Sequence, residues 1–192
     1  MEKRELKARH SSSQFSIHSF FDTYSLAAAI VQVEQSLEAA TNNRPYKKGP
    51  AYDMVYLYTN LQELYVPVII GKGACTVKPK CKIKVGKEYT QPDMQQYQHF
   101  VSRSHFANAW NCFPRHLTAQ QYLNPNKAIK KFSAFLSQQE WEQVFKDIIK
   151  YALSNEAMSE EYTAYDILCI RMHILRFVEA CHLLHVRISQ NK

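Results

Sequence analysis

Glycine is scarce here: the 192 residues hold four, and three of those fall between Val66 and Glu88. The seven prolines punctuate the chain rather than pervade it. No apolar run approaches the roughly 18 residues a bilayer-spanning helix needs, so no membrane span is expected. The opening MEKRELKARHSSSQ is charged, but Ser16, His18, Ser19 and Asp22 interrupt the apolar stretch behind it. No secretory signal is expected from that pattern. Also missing are a Gly-rich phosphate loop, a Gly-x-Ser-x-Gly turn and a metalloprotease His pair. No cofactor and no metal are expected.

Acid is in short supply too, with 17 Asp and Glu against 24 Lys and Arg, a net charge of +7. That balance favours polyanionic partners such as RNA, DNA or an acidic protein face. Cysteine is few and odd in number, at five. Cys112, Cys169 and Cys181 fall in apolar helical contexts, which predicts buried thiols in a reducing compartment and a cytoplasmic location.

What is present is apolar and helical. Hydrophobic residues make up 46% and aromatics 12%, enough for a folded core. We expect a single, mainly α domain over 1–192: a bundle of about five to six helices with a small Lys-rich β-hairpin insertion at 66–90. Residues 1–14 read as a flexible basic lead.

Spacing predicts a helix from about Ser19 to Ala40, then a loop from Thr41 to Tyr52 with paired Asn, two Pro and one Gly. Asp53 is the expected N-cap of a helix from Met54 to Tyr65. Thr76-Val77 and Lys82 to Val85 read as strands joined through Lys78-Pro79-Lys80, and another helix is expected from Pro92 to about Cys112. Thr118 with Gln121, and Ser137 with Glu140, match capping boxes, the second opening SQQEWEQVFKDIIKYALS. Asn124-Pro125 opens a helix reaching Leu136. Glu160 and Glu161 suit the first turn of the last helix.

That last helix organises the chain. Ile167, Ile170, Ile174, Phe177, Val178, Cys181, Leu184 and Ile188 recur at steps of three and four, as the spine of a bundle requires. A second row, His173, Arg176, Glu179, His182 and His185, recurs every third residue and reads as a polar flank. Within it Arg176 can pair with Glu179, and Glu179 can reach His182.

Arg176 and His182, separated by the five residues FVEAC, resemble the Arg–x(4–6)–His signature of the HEPN superfamily of small helical ribonucleases and nucleotide-binding proteins. The resemblance implies an Arg that stabilises phosphorane-like charge and a His that transfers a proton at a ribose 2′-hydroxyl, usually in a dimer cleft. Phe177 departs from the polar residue that usually follows the Arg. Glu179 and His182 also form an E-x-x-H, but a di-metal bundle needs two. Cys75, Cys81, His99 and His105 follow the order of a zinc site with unsuitable spacing; His99 and His105 would point about 120° apart on a helix. A Cys75–Cys81 disulfide is disfavoured in a reducing compartment.

Cations and aromatics interleave in three places: Arg44, Tyr46, Lys47 and Lys48 in the loop; Lys72, Lys78, Lys80, Lys82 and Lys84 in the hairpin; and Lys127, Lys130 and Lys131 on a helix. Phosphates and exposed bases select such mixtures. The expectation is therefore a non-enzymatic, basic nucleic-acid-binding or nucleoprotein accessory protein, RNA and DNA not distinguished. It would serve in a larger assembly or as a homo-oligomer, its scattered lysines converging on one surface. A HEPN-like metal-independent ribonuclease using Arg176 and His182, and a protein-binding adaptor or regulator, are the alternatives.

Overall fold

The computed structural model describes residues 17–42, 45–65, 68–69 and 113–189. They are mainly helical, with no strand among the described residues. The elements are α1 (17–23), α2 (Leu26–Thr41), α3 (Ala51–Tyr65), α4 (Ala119–Leu123), α5 (Asn126–Phe135), α6 (Gln138–Leu153) and α7 (Ala164–Ser189). A 3₁₀ turn, Met158–Glu160, precedes α7.

The expected helix over 19–40 is two helices. Ser25 is extended and accepts the Ala28 N–H at 3.2 Å, so it caps α2 instead of continuing α1. α3 starts at Ala51, which puts Asp53 inside its first turn rather than at the cap. Both capping boxes form: Thr118 accepts from Gln121 N at 3.3 Å, and Ser137 from Glu140 N at 3.3 Å. α7 begins later than its acidic run suggests. Its first-turn acid is Asp166, whose Oδ2 accepts from the Thr163 amide at 3.1 Å and hydroxyl at 2.6 Å, while Glu160 belongs to the 3₁₀ turn.

Of the proposed hairpin, Val68 and Ile69 are described; they form a helical turn packed on the core. The strands at 76–77 and 82–85, the helix from Pro92 to Cys112 and the Cys75, Cys81, His99 and His105 set lie outside the described residues.

α7 is the spine, as its stripe predicts. α2 lies against α6 and α7, and α5 against α7. Three rings bind these elements: Phe132 stacks on Trp141 at 4.0 Å and on Phe177 at 4.3 Å, joining α5, α6 and α7. The Trp141 indole N–H is satisfied by Phe132 O at 3.1 Å. Ser36 Oγ and Tyr58 Oη, 2.7 Å apart and buried, tie α2 to α3. Each such ring removed from water contributes roughly 1.5–3 kcal/mol.

The second row on α7 is a polar flank only at its start, where His173 and Arg176 are half-buried. From Ile174 to Arg187 every residue except Arg176 is buried, Glu179 at 0% and His182 and His185 at 6% exposure. Where the helix is enclosed in this way, a polar row has almost no solvent face to occupy, so Glu179, His182 and His185 find partners inside.

Candidate nucleic-acid interface

α5, NKAIKKFSAF, contains no acid. Lys127, Lys130 and Lys131 stand at i, i+3 and i+4, so one face carries all three, and all are exposed. Ala128, Ile129 and Phe132 occupy the buried side. Pro125, with φ −54°, leads into the helix, and Lys127 Nζ is steadied by Gln120 Oε1 at 3.1 Å.

α7 meets this face with His173 and Arg176. The His173 ring lies flat on Phe135, centroids 4.2 Å apart and planes 11° apart, and Phe135 is 38% exposed. Burial chiefly, and then the charges of Arg176 and Lys131, hold the His173 imidazole below its ordinary protonation range. Lys131, His173 and Arg176 therefore share one electropositive neighbourhood.

The 113–118 segment extends it. Arg176 Nε donates to His116 O at 3.0 Å, and Arg115 is exposed next door. Glu179 fixes the segment from beneath. Its carboxylate accepts the N–H groups of Arg115 at 2.7 Å, His116 at 2.9 Å and Leu117 at 3.0 Å, and His116 Nδ1 at 2.8 Å. A carboxylate only accepts, so Nδ1 is the protonated ring nitrogen of His116. The expected Arg176–Glu179 pair does not form: both residues turn to this segment instead. It is 60 to 64 residues away in sequence, beyond any spacing rule.

Arg176 and His182 project about 120° apart around α7. His182 packs edge-on against Phe21 at 5.1 Å, and His185 against His18 at 4.7 Å. With Glu179 committed to the 113–118 amides, the E-x-x-H reading loses its carboxylate. Among the described residues no three His, Cys, Asp or Glu side chains gather as a metal site would require.

The other described lysines lie elsewhere. Tyr46 N donates to Ala152 O at 2.8 Å, which pins the 45–49 stretch to the C-terminal end of α6. Phe132 meets α6 at Trp141, eleven residues back along the helix or about 16 Å at its usual rise. Lys47 and Lys48 are exposed at that far end, and Lys48 Nζ sits 2.7 Å from Glu38. Arg44 and the hairpin lysines, Lys72, Lys78, Lys80, Lys82 and Lys84, lie outside the described residues.

No family model, curated protein or solved structure matches this chain. No helix among the described residues is long and apolar enough to cross a membrane.

Proposed function

We propose that this is a non-enzymatic nucleic-acid-binding protein that contacts phosphates through Lys127, Lys130 and Lys131, with Arg176 and Arg115 extending the contact. The observation carrying this reading is the acid-free α5 face continuing into Lys131, His173 and Arg176. Three exposed lysines on one helical face follow a phosphodiester backbone, and the Phe135–His173 stack supplies an aromatic surface for a base. Arg176 enters as a phosphate contact and needs no catalytic histidine beside it. Lys47 and Lys48 are a second, separate contact point. A larger nucleoprotein assembly is the natural setting for a domain of this size and charge.

Fluorescence anisotropy of labelled single-stranded RNA and DNA across a salt series tests the proposal. Affinity should fall steeply with salt. Replacing Lys127, Lys130 and Lys131 by Gln should flatten the logarithmic slope by about 2, because each single-strand phosphate contact contributes roughly 0.7. A slope unchanged by the triple substitution, or no salt dependence at all, overturns it.

A further inference from the structure

A cleft of about 590 Å³ opens at the other end of the molecule, between α2, the 45–50 stretch and the first turns of α3. Four tyrosines line it: Tyr24, Tyr46, Tyr52 and Tyr56. The Tyr24 and Tyr56 centroids are 6.3 Å apart with planes inclined at 39°, so the rings form an angled wall rather than a closed stack. Tyr52 and Tyr56 are 71% and 52% exposed, far more than phenols that serve the core. Tyr58, two residues on, is fully buried on Ser36.

Asp53 stands among these rings. A Cβ on Gly49 would lie 3.4 Å from Tyr46 Oη and 3.8 Å from Asp53 Oδ2, so phenol and carboxylate flank the same point on the cleft floor. Among the described residues no cation lies within ion-pair distance of that carboxylate. Lys48 also lines the cleft, but its ammonium is 2.7 Å from Glu38 Oε2. The phenols register the balance. Burial first, then Tyr56 and Asp53, push Tyr24 up to about 12, and at Tyr46 the charge of Asp53 outweighs that of Lys48.

Electron-rich ring faces around a carboxylate that no cation among the described residues pairs with select a positive charge spread over apolar surface. We infer that the Tyr24–Tyr46–Tyr52–Tyr56 cleft binds a methylated ammonium group, with Asp53 as counter-charge. The volume suits a small ligand or one inserted side chain. The inference is independent of the α5–α7 contact, which lies toward the opposite end of α6.

The test is an NMR titration of the full chain with choline and with 3,3-dimethylbutan-1-ol, which has the same shape without the charge. Choline should give saturable shifts confined to these tyrosine rings, and the neutral probe should bind about tenfold more weakly. Asp53→Asn should remove most of that preference, and Gly49→Val should block both probes while leaving the helical spectrum unchanged. A trimethyllysine peptide beside its unmodified form separates the two sources of the group: tighter binding of the peptide marks a modified protein as ligand, tighter choline a free metabolite. Equal affinity for the two probes, shifts spread over the surface, or no saturation by about 50 mM, well above the millimolar affinities expected of a weak site, overturns the inference.

Discussion

His173 shows how a single side chain reports its neighbours. It is held flat by Phe135, and Arg176 and Lys131 add positive charge while burial removes water, so the neutral ring is the favoured form. The folded imidazole therefore binds its proton less readily than the unfolded one. Above about pH 6.5, the unfolded value, the penalty is absent; stability is lost as the pH falls through that value toward the lower folded one. Urea unfolding between pH 5 and 8 should show this loss, and His173→Gln should remove part of it. If phosphates bind here, they offset Lys131 and Arg176, so oligonucleotide affinity should rise over the same acidic window, and less in the Gln variant.

At the scale of elements, the 113–118 segment is a piece of irregular chain fastened to a helix by one residue. Three consecutive amides there have no helical partner, and Glu179 accepts all of them from a site with no solvent exposure. Removing it leaves those part-buried donors without their acceptor. Glu179→Ala should cost roughly 3 kcal/mol by chemical denaturation. Hydrogen exchange at Arg115, His116 and Leu117 should accelerate before the α7 amides do. Uniform acceleration across the protein would mean that Glu179 acts on the whole core and not on this fastening.

Across the whole molecule, the column Trp141–Phe132–Phe177 decides whether α5 is held at all. α5 is only ten residues, short for an isolated helix, so packing must supply its stability. Phe132→Ala should cost about 3–5 kcal/mol in urea unfolding. It should also quench the salt dependence of oligonucleotide binding, because Lys127, Lys130 and Lys131 lose the helix that aligns them. Full loss of stability with an unaltered salt slope would separate the lysines from the fold.

Local features were legible from the residues alone because their causes are local. The two capping boxes, the Pro125 start of α5, the stripe that makes α7 the spine and the shared face of the three α5 lysines each follow from helix geometry over a turn or two. The break at Ser25 was readable in principle, but the apolar run through Ala27 to Val31 masked a good N-cap. What the tertiary structure alone decided is where polar groups on α7 go. Periodicity says which residues share a stripe, but not that the rest of the chain encloses the C-terminal half of the helix on nearly every side. Nor does it say that Glu179 and Arg176 spend their hydrogen bonds on amides and a carbonyl 60 to 64 positions away. The tyrosine cleft has the same origin: its rings come from α2's approach, a loop and α3, and only folding sets them around Asp53. Burial and long-range hydrogen bonding depend on which segments meet, and that is a property of the packed chain rather than of any stretch within it.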